Sequence, residues 1–391
     1  MRAASQETCR SRVVHPKAGV RLWARRFPHA ATSGAWGDMD ALSPSEFGRR
    51  FSWRELASLL RVRDGRAAAL TSALGLLALT LAMASLLLGP SNLSVTEIFG
   101  GLFAPDGMPS VIAREIRLPR AALAPIVGAA LGASGAALQG LFRNPLAEPG
   151  VTGVTSAAGL GAVVAFYFGF ASASPVLLPV FGIAGALLSA TILYLLSRAG
   201  AGAIALVLGG VAIASLATAL TALALSLSPN PYAMSEIVVW MMGSLKDRTL
   251  SDVTFAAPLV AVGILLLLTA SRGLDALTLG EEGAHSLGIN VHDVRRRVVL
   301  GVALATGAAT AAAGAVSFVG LVVPHLLRPF YRYEPARLIW PSALGAAALV
   351  SAADIAVRLM SPDEKLPLGV LTALLGAPFF VWLILRMRRN A

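Results

Sequence analysis

Three side chains that could bind a metal or carry out acid–base chemistry lie close together in the stretch LTLGEEGAHSLGI, residues 277–289. Glu282 and His285 have the Glu-x-x-His spacing, which places both side chains on one face of a helix. Glu281 adds a second carboxylate. A metal site, a catalytic site and a surface that another protein holds are the possible interpretations. The choice depends on where the rest of the chain positions this stretch.

The composition is typical of a membrane protein. Of the 391 residues, 56% are hydrophobic and 14% are charged, whereas an ordinary soluble domain has about 25% charged residues. A membrane-crossing helix needs about 20 apolar residues. Ten candidate spans lie near residues 68–88, 118–141, 151–170, 175–196, 203–227, 252–270, 295–315, 317–330, 336–357 and 367–385. The eighth is short and interrupted by Gly and Pro, which predicts a broken helix. We therefore expect an all-α, polytopic membrane protein with about ten transmembrane helices.

Positive charge indicates which side of the membrane each loop faces. Residues 1–66 form a basic tail with 13 Arg or Lys against 6 Asp or Glu. Beside so many spans, this surplus indicates a cytoplasmic tail rather than a nucleic-acid partner. Ten spans then place both termini in the cytoplasm. The predicted inside loops carry Arg143, Arg198, Arg272, Arg295, Arg296, Arg297, Arg328, Arg332 and Arg337.

Two domains follow from this topology. The basic tail of residues 1–66 precedes a transmembrane domain, 67–391, which contains a cytoplasmic segment at 277–294. Residues 1–38 differ in character from the segment that starts at Met39, and we interpret them as a misassigned start of translation.

The metal and enzyme interpretations of residues 277–289 lack the partners that they need. A di-iron bundle needs two Glu-x-x-His copies with further inward carboxylates, and a helical zinc hydrolase needs a motif such as HExxH. The sequence offers one Glu-x-x-His copy, outside every predicted span. We therefore expect no metal, no cofactor and no catalytic residues here, and favour a surface held by another protein.

The sequence also limits the possible energy source of a transport function. It has no GxxxxGK[ST] phosphate loop, so transport driven by ATP would need a separate ATPase chain. The alternative is a secondary carrier for a small solute, which usually needs ionisable groups at membrane depth. Asp354 is the clearest of these. It lies four residues before Arg358, with which it can pair on one helix face.

Two features of the spans need a separate explanation. Arg117 and Arg120 begin the second span and Arg358 ends the ninth, all on the outer side and against the positive-inside trend. Gly128 and Gly132 form a GxxxG motif, which permits close helix packing. We favour packing inside the bundle for this motif, with a subunit contact as the alternative.

The loop RNPLAEPG, residues 143–150, connects the second and third spans on the predicted inside. Asn-Pro and Pro-Gly are strong turn signals, and they predict a specific structural joint rather than a plain turn. The residues of this joint are Asn144, Pro145, Glu148, Pro149 and Gly150.

Several long motifs together resemble one known family. The stretch REIRLPRAALAPIVGAALGASGAALQGLFRNPLAEPGVTGVTSAAGLGA, residues 114–162, closely resembles the FecCD/BtuC family. Four later segments match as well: LGGVAIASL, WMMGSL, SFVGLVVPHLLR and LPLGVLTALLGAPFFVWLI. Members of this family are permease subunits of ABC importers for iron-siderophores, haem and cobalamin. The resemblance covers roughly residues 68–386.

The resemblance implies the type II ABC importer permease fold and four kinds of partner. These are a second permease copy, two cytoplasmic ATPase subunits, a periplasmic substrate-binding protein and the surrounding membrane lipid. It implies that Gly280, Glu281, Glu282, Gly283, His285 and Gly288 form the ATPase-coupling segment, with the glycines permitting sharp turns. It also implies that Arg117, Arg120 and Arg358 dock the binding protein as exposed electrostatic contacts. The predicted function is thus ATP-driven import of one of these substrates across the cytoplasmic membrane.

Overall fold

A computed structural model describes residues 65–389, except 90, 92, 105, 175, 229–230 and 362–365. All regular elements in these residues are helices. In chain order they are α1 Gly65–Leu87, α2 Val95–Phe103, α3 Met108–Leu141, α4 Val154–Tyr167, α5 Phe170–Ala173, α6 Leu177–Arg198, α7 Ala203–Ser226, α8 Pro231–Met241, α9 Leu250–Leu277, α10 Glu281–Ser286, α11 Val291–Ala313, α12 Val319–Leu327, α13 Pro335–Met360 and α14 Leu368–Arg389. The predicted tail, 1–66, lies outside the described residues except for its last two, and so does the predicted start at 1–38.

The all-α, ten-span prediction is confirmed. Seven of the described helices are long and apolar enough to cross a membrane: α1, α3, α6, α7, α9, α11 and α13. Two shorter apolar helices, α4 and the Leu368–Leu383 part of α14, correspond to the third and tenth predicted spans. The eighth is α12, which has nine residues and continues as a 3-10 turn at Arg328–Tyr331. It is therefore the broken helix that its Gly and Pro residues predict.

The third span is shorter than predicted because the chain before it enters the bundle. A Cβ added to Gly153 would lie 2.7 Å from the carbonyl oxygen of Gly210. Gly210 is seven residues from the start of α7, about 10 Å along the helix. Residues before α4 thus lie beside α7 inside the bundle, and α4 needs only 14 residues to complete its path.

Helix α3 is the centre of the bundle. From Leu123 to Leu141 nearly all of its residues are buried in the chain itself. A Cβ added to Gly128 or Gly132 would come closer than 3.0 Å to the carbonyl oxygens of Ala346 and Ser342 on α13. The GxxxG motif therefore packs two helices of the same chain, as favoured from the sequence, and is not exposed for a subunit contact.

Side-chain contacts define two ends of this bundle. We call one the basic end, where α3, α6 and α9 end and α11 and α13 begin. There, Arg295 of α11 lies 3.5 Å from the hydroxyl of Ser197 on α6. We call the other the far end, where α1 and α13 end and α3 begins. There, Arg117 of α3 donates to the carbonyl oxygen of Leu87 at 2.7 Å.

We predict that Gly132→Ala destabilises the bundle by about 1–3 kcal/mol, because its methyl group has no room beside the α13 backbone. The matched control is Gly159→Ala in α4, where an added Cβ meets no described atom within 4 Å. Alanine there should be neutral or stabilise by up to about 1 kcal/mol. Unfolding midpoints of the two purified variants in detergent test this. Equal midpoints would show that the α3–α13 contact is not tight.

Candidate functional site

The predicted coupling segment forms a short helix with a left-handed residue on each side. Gly280, just before α10, has φ +94°, and Gly288, just after it, has φ +74°. A residue with a Cβ rarely adopts such angles, so Gly280 permits the turn that starts the helix. Gly283 instead lies within α10, where an added Cβ would come 2.9 Å from Cβ of Leu279. The expectation that all three glycines form sharp turns is thus correct for two of them.

The charged side chains of α10 differ in their surroundings. Glu282 and His285 are exposed. Glu281 is half-buried, and its carboxylate accepts a hydrogen bond from Arg295 of α11. Arg295 is 7% exposed and also reaches Ser197 of α6. The segment is therefore tied to two long helices and presents only part of its polar surface outward.

This arrangement does not assemble a metal site in the described residues. No three His, Cys, Asp or Glu side chains there lie close enough to hold an ion. Glu281, the candidate third ligand, is engaged with Arg295 instead. The exposed Glu282 and His285 are suited to a contact with another protein.

The five predicted joint residues lie in one tightly bonded loop at the basic end. The side-chain oxygen of Asn144 accepts from the backbone N–H of Leu146 at 2.9 Å, which closes an Asx turn. Pro149 is the first residue of a 3-10 helix, Pro149–Thr152. Ser189 of α6 donates to the carbonyl oxygen of Thr152 at 3.2 Å. The loop is thereby fixed to the neighbouring span.

Glu148 connects this loop to the broken helix α12. Its carboxylate lies near the backbone N–H of Phe318, the residue that starts the broken helix α12 with φ +65°. Burial raises the pKa of Glu148, and the interaction with this N–H opposes that shift. A backbone N–H inside a membrane bundle needs such a partner, and a carboxylate also suits the positive end of a helix. Glu148 thus completes the start of α12.

The three arginines predicted to dock a binding protein are buried at the far end. Arg117, Arg120 and Arg358 are 3%, 6% and 7% exposed. The expectation of exposed contacts is therefore wrong. Arg117 is buried because its guanidinium group bonds to the chain itself. It donates to the carbonyl oxygens of Leu87 and Ser91, at 2.7 and 2.8 Å, and to the Ser91 hydroxyl at 2.7 Å.

Asp354 is the centre of the remaining contacts. It is 0% exposed, and its carboxylate lies 2.9 Å from Nε of Arg120 and 3.1 Å from Nη2 of Arg358. Arg358 also donates to the carbonyl oxygens of Ser85 and Leu88, at 2.9 and 2.7 Å. The predicted Asp354–Arg358 pair is confirmed. The group, which we call the far-end brace, ties the ends of α1, α3 and α13 together.

Sequence reasoning missed three of these positions. Each of them contacts a residue in another segment of the chain. Arg120 pairs with Asp354, and Arg295 pairs with Glu281. The carboxylate of Asp275 accepts the backbone N–H of Ala336 at 2.8 Å. None of them had a local signal in the sequence. In the structure, helix α13 starts without a side-chain cap of its own, and Asp275 accepts from one of the N–H groups left free at its start.

Comparison with known proteins gives a family match over most of the chain. Residues 76–386 match the model of the FecCD transport family. The hemin transport system permease protein HmuU of Yersinia pestis is 40% identical over 284 residues, which is 71% of this chain and 84% of that protein. The Fe(3+) dicitrate permease FecD of Escherichia coli is 40% identical, covering 70% of this chain and 85% of FecD.

Two further similarities extend this result. The vitamin B12 permease BtuC of Vibrio cholerae is 41% identical over 274 residues, which is 70% of this chain and 82% of BtuC. A solved structure, described as an inward-facing conformation of a metal-chelate type ABC transporter, has a TM-score of 0.71 and 31% identity. The match covers 82% of this chain and 99% of the chain in that structure.

We predict that Asp354→Asn lowers the free energy of unfolding by about 3–5 kcal/mol, because it leaves buried arginines without their counter-charge. The control is Asp293→Asn, which removes an exposed pair with Arg296 and should cost at most about 1 kcal/mol. Unfolding of the purified proteins in detergent measures both. A small, equal effect of the two variants would contradict a structural role of the far-end brace.

Proposed function

The chain belongs to the FecCD transport family, and from this premise we propose that it carries an iron-siderophore, haem or cobalamin across the inner membrane by an ATP-driven mechanism. It is a multi-pass ABC transporter permease and not an enzyme, because the ATPase activity of such a transporter lies in a separate subunit. The observation that carries the proposal is α10, a surface helix on a membrane bundle that lacks a phosphate loop.

In the proposed orientation the basic end faces the cytoplasm and both termini lie there. Arg143, Arg198, Arg296 and Arg328 cluster at helix ends on this side, in agreement with the positive-inside rule. The coupling segment would then face the two ATPase subunits, and the far end would face the periplasmic binding protein.

We propose that the residues of α10 have different roles in coupling. Glu282 and His285, which are exposed, contact the ATPase. Glu281, through Arg295, passes any displacement of α10 to α11 and α6. Gly280 and Gly288 keep the segment compact. Differential contact with two states of the ATPase would shift the permease between two conformations.

At the far end, we propose that the binding protein docks on a surface that Arg117, Arg120 and Arg358 shape. Their guanidinium groups hold the ends of α1 and α3 and the residues after α1 in place. Electrostatic attraction over this face would still guide the approach of an acidic partner, since long-range steering does not need direct contact.

A second copy of the chain completes the proposed transporter. Helix α7 is largely unburied, with Ile204, Leu208, Leu216 and Leu223 each more than 50% exposed. Such a face needs lipid or protein to cover it. We propose that a homodimer covers part of it and forms the substrate path, while membrane lipid covers the rest.

We predict that Glu282→Lys weakens association with the ATPase subunit without changing the unfolding midpoint. Reversing an exposed charge at a contact costs affinity through like-charge repulsion, whereas an exposed side chain adds little to stability. The matched control is Glu115→Lys, an exposed acid near the far end. Co-purification and stimulated ATP hydrolysis give the two readouts. If Glu282→Lys and Glu115→Lys behave alike, α10 is not the contact.

We predict that the chain, expressed with its partner ATPase and binding protein in a strain lacking its own permeases, restores uptake of one labelled substrate. The candidates are an iron-siderophore, haem and cobalamin. Uptake should stop when the catalytic site of the ATPase is inactivated and should survive collapse of the proton gradient. The opposite response would support a secondary carrier.

A further inference from the structure

A cavity of about 170 Å³ opens at the basic end, where α3 and α9 end and α13 begins. Its polar lining comes from Gln139, Arg143, Thr278, Arg328 and Tyr333. This volume is well above the ~10–15 Å³ that a single water molecule needs. Polar residues from the ends of α3 and α9 and from the segment between α12 and α13 thus line one concave space.

Two of the lining residues carry positive charge with no counter-charge in contact. Within the described part of the chain, no carboxylate lies within 4.0 Å of the guanidinium groups of Arg143 or Arg328. Arg328 is half-buried and Arg143 is exposed. Two cations that line one cavity without a carboxylate in contact indicate a site for an anion.

Two carboxylates that lie close in the chain to the lining residues are engaged elsewhere. Glu334 pairs with Arg337, with 2.6 Å between its carboxylate and Nε. Asp275 accepts the backbone N–H of Ala336. The cavity therefore keeps its positive charge, and an incoming anion meets no direct competitor among these side chains.

The chemistry of the lining favours a phosphate group. Guanidinium groups bind phosphate oxygens through paired, charge-assisted hydrogen bonds. The Tyr333 hydroxyl, on the rim of the same cavity, can donate a further bond. A phosphate group has enough oxygens to accept from all three at once.

The surroundings distinguish between two sources of phosphate. Leu326 and Phe330, on either side of Arg328, are 51% and 63% exposed. Apolar and aromatic side chains beside basic ones are typical of a membrane–water boundary, and basic pockets between helices bind anionic head groups there. We propose that the cavity binds the phosphate of an anionic phospholipid through Arg143 and Arg328, with the acyl chains along α12.

The assignment of this lipid to the cytoplasmic leaflet rests on the proposed orientation, but the binding itself does not. Lipid bound here would contact the ends of α3, α9 and α12 together. These are the elements next to the coupling segment, so an occupied cavity would restrict their relative movement.

Lipid binding to the purified full-length chain in detergent tests the proposal independently of transport. Phosphatidylglycerol should bind in preference to phosphatidylcholine, as counted by native mass spectrometry, and millimolar inorganic phosphate should not displace it. Arg143→Gln with Arg328→Gln should weaken phosphatidylglycerol binding about tenfold or more, since it removes two charge-assisted contacts. Arg143→Lys with Arg328→Lys, which keeps the charge, should retain part of the binding.

The matched control is Arg198→Gln with Arg296→Gln, which removes two exposed charges from the same end. This pair should keep wild-type affinity for phosphatidylglycerol. Equal losses in both glutamine pairs, displacement by inorganic phosphate, or no lipid preference in the wild-type chain would each overturn the proposal. So would unchanged lipid binding together with lost ATPase association, which would assign Arg143 and Arg328 to a protein contact.

Discussion

The packing of the central helix α3 is the constraint on which the other elements depend. A helix that packs against others on most of its sides must bring neighbouring backbones close, and small side chains allow this. Glycines at 128, 132 and 135 bring α13 and α12 to the α3 backbone. The outer helices α1, α7 and α14 instead present exposed faces with large apolar side chains.

Close packing also makes broken helices possible. Lipid offers no hydrogen-bond partner to a free backbone group, so α12 can start in the middle of the bundle only where protein supplies one. The Glu148 carboxylate lies near the first N–H of α12, on a loop that itself enters the bundle beside α7. The re-entrant loop and the half-helix thus depend on each other. This dependence explains why the joint residues form a strict local pattern rather than an ordinary turn.

What the sequence predicted, and what it did not, follows from the range of each interaction. Apolar length predicted the ten spans, and Gly and Pro residues predicted the broken helix, since these properties are local. The turns at Gly280 and the Asp354–Arg358 pair were also predictable from residues that lie close in the chain. The Arg120–Asp354 and Glu281–Arg295 pairs join residues 234 and 14 positions apart, without local patterns. Their absence from the prediction is why Arg120 was expected to be exposed.

At both ends of the bundle, buried arginines connect one helix to its neighbours. At the far end, Arg117 and Arg358 bond to carbonyl oxygens that the end of α1 leaves free, which fixes the shape of this surface within the chain itself. At the basic end, Arg295 holds α10 through Glu281 while Glu282 stays exposed. A surface helix can pass a displacement on to the bundle only if contacts with the bundle hold it more firmly than they would hold a loop. In the proposed coupling role, Arg295 would connect a displacement of α10 to α11 and α6.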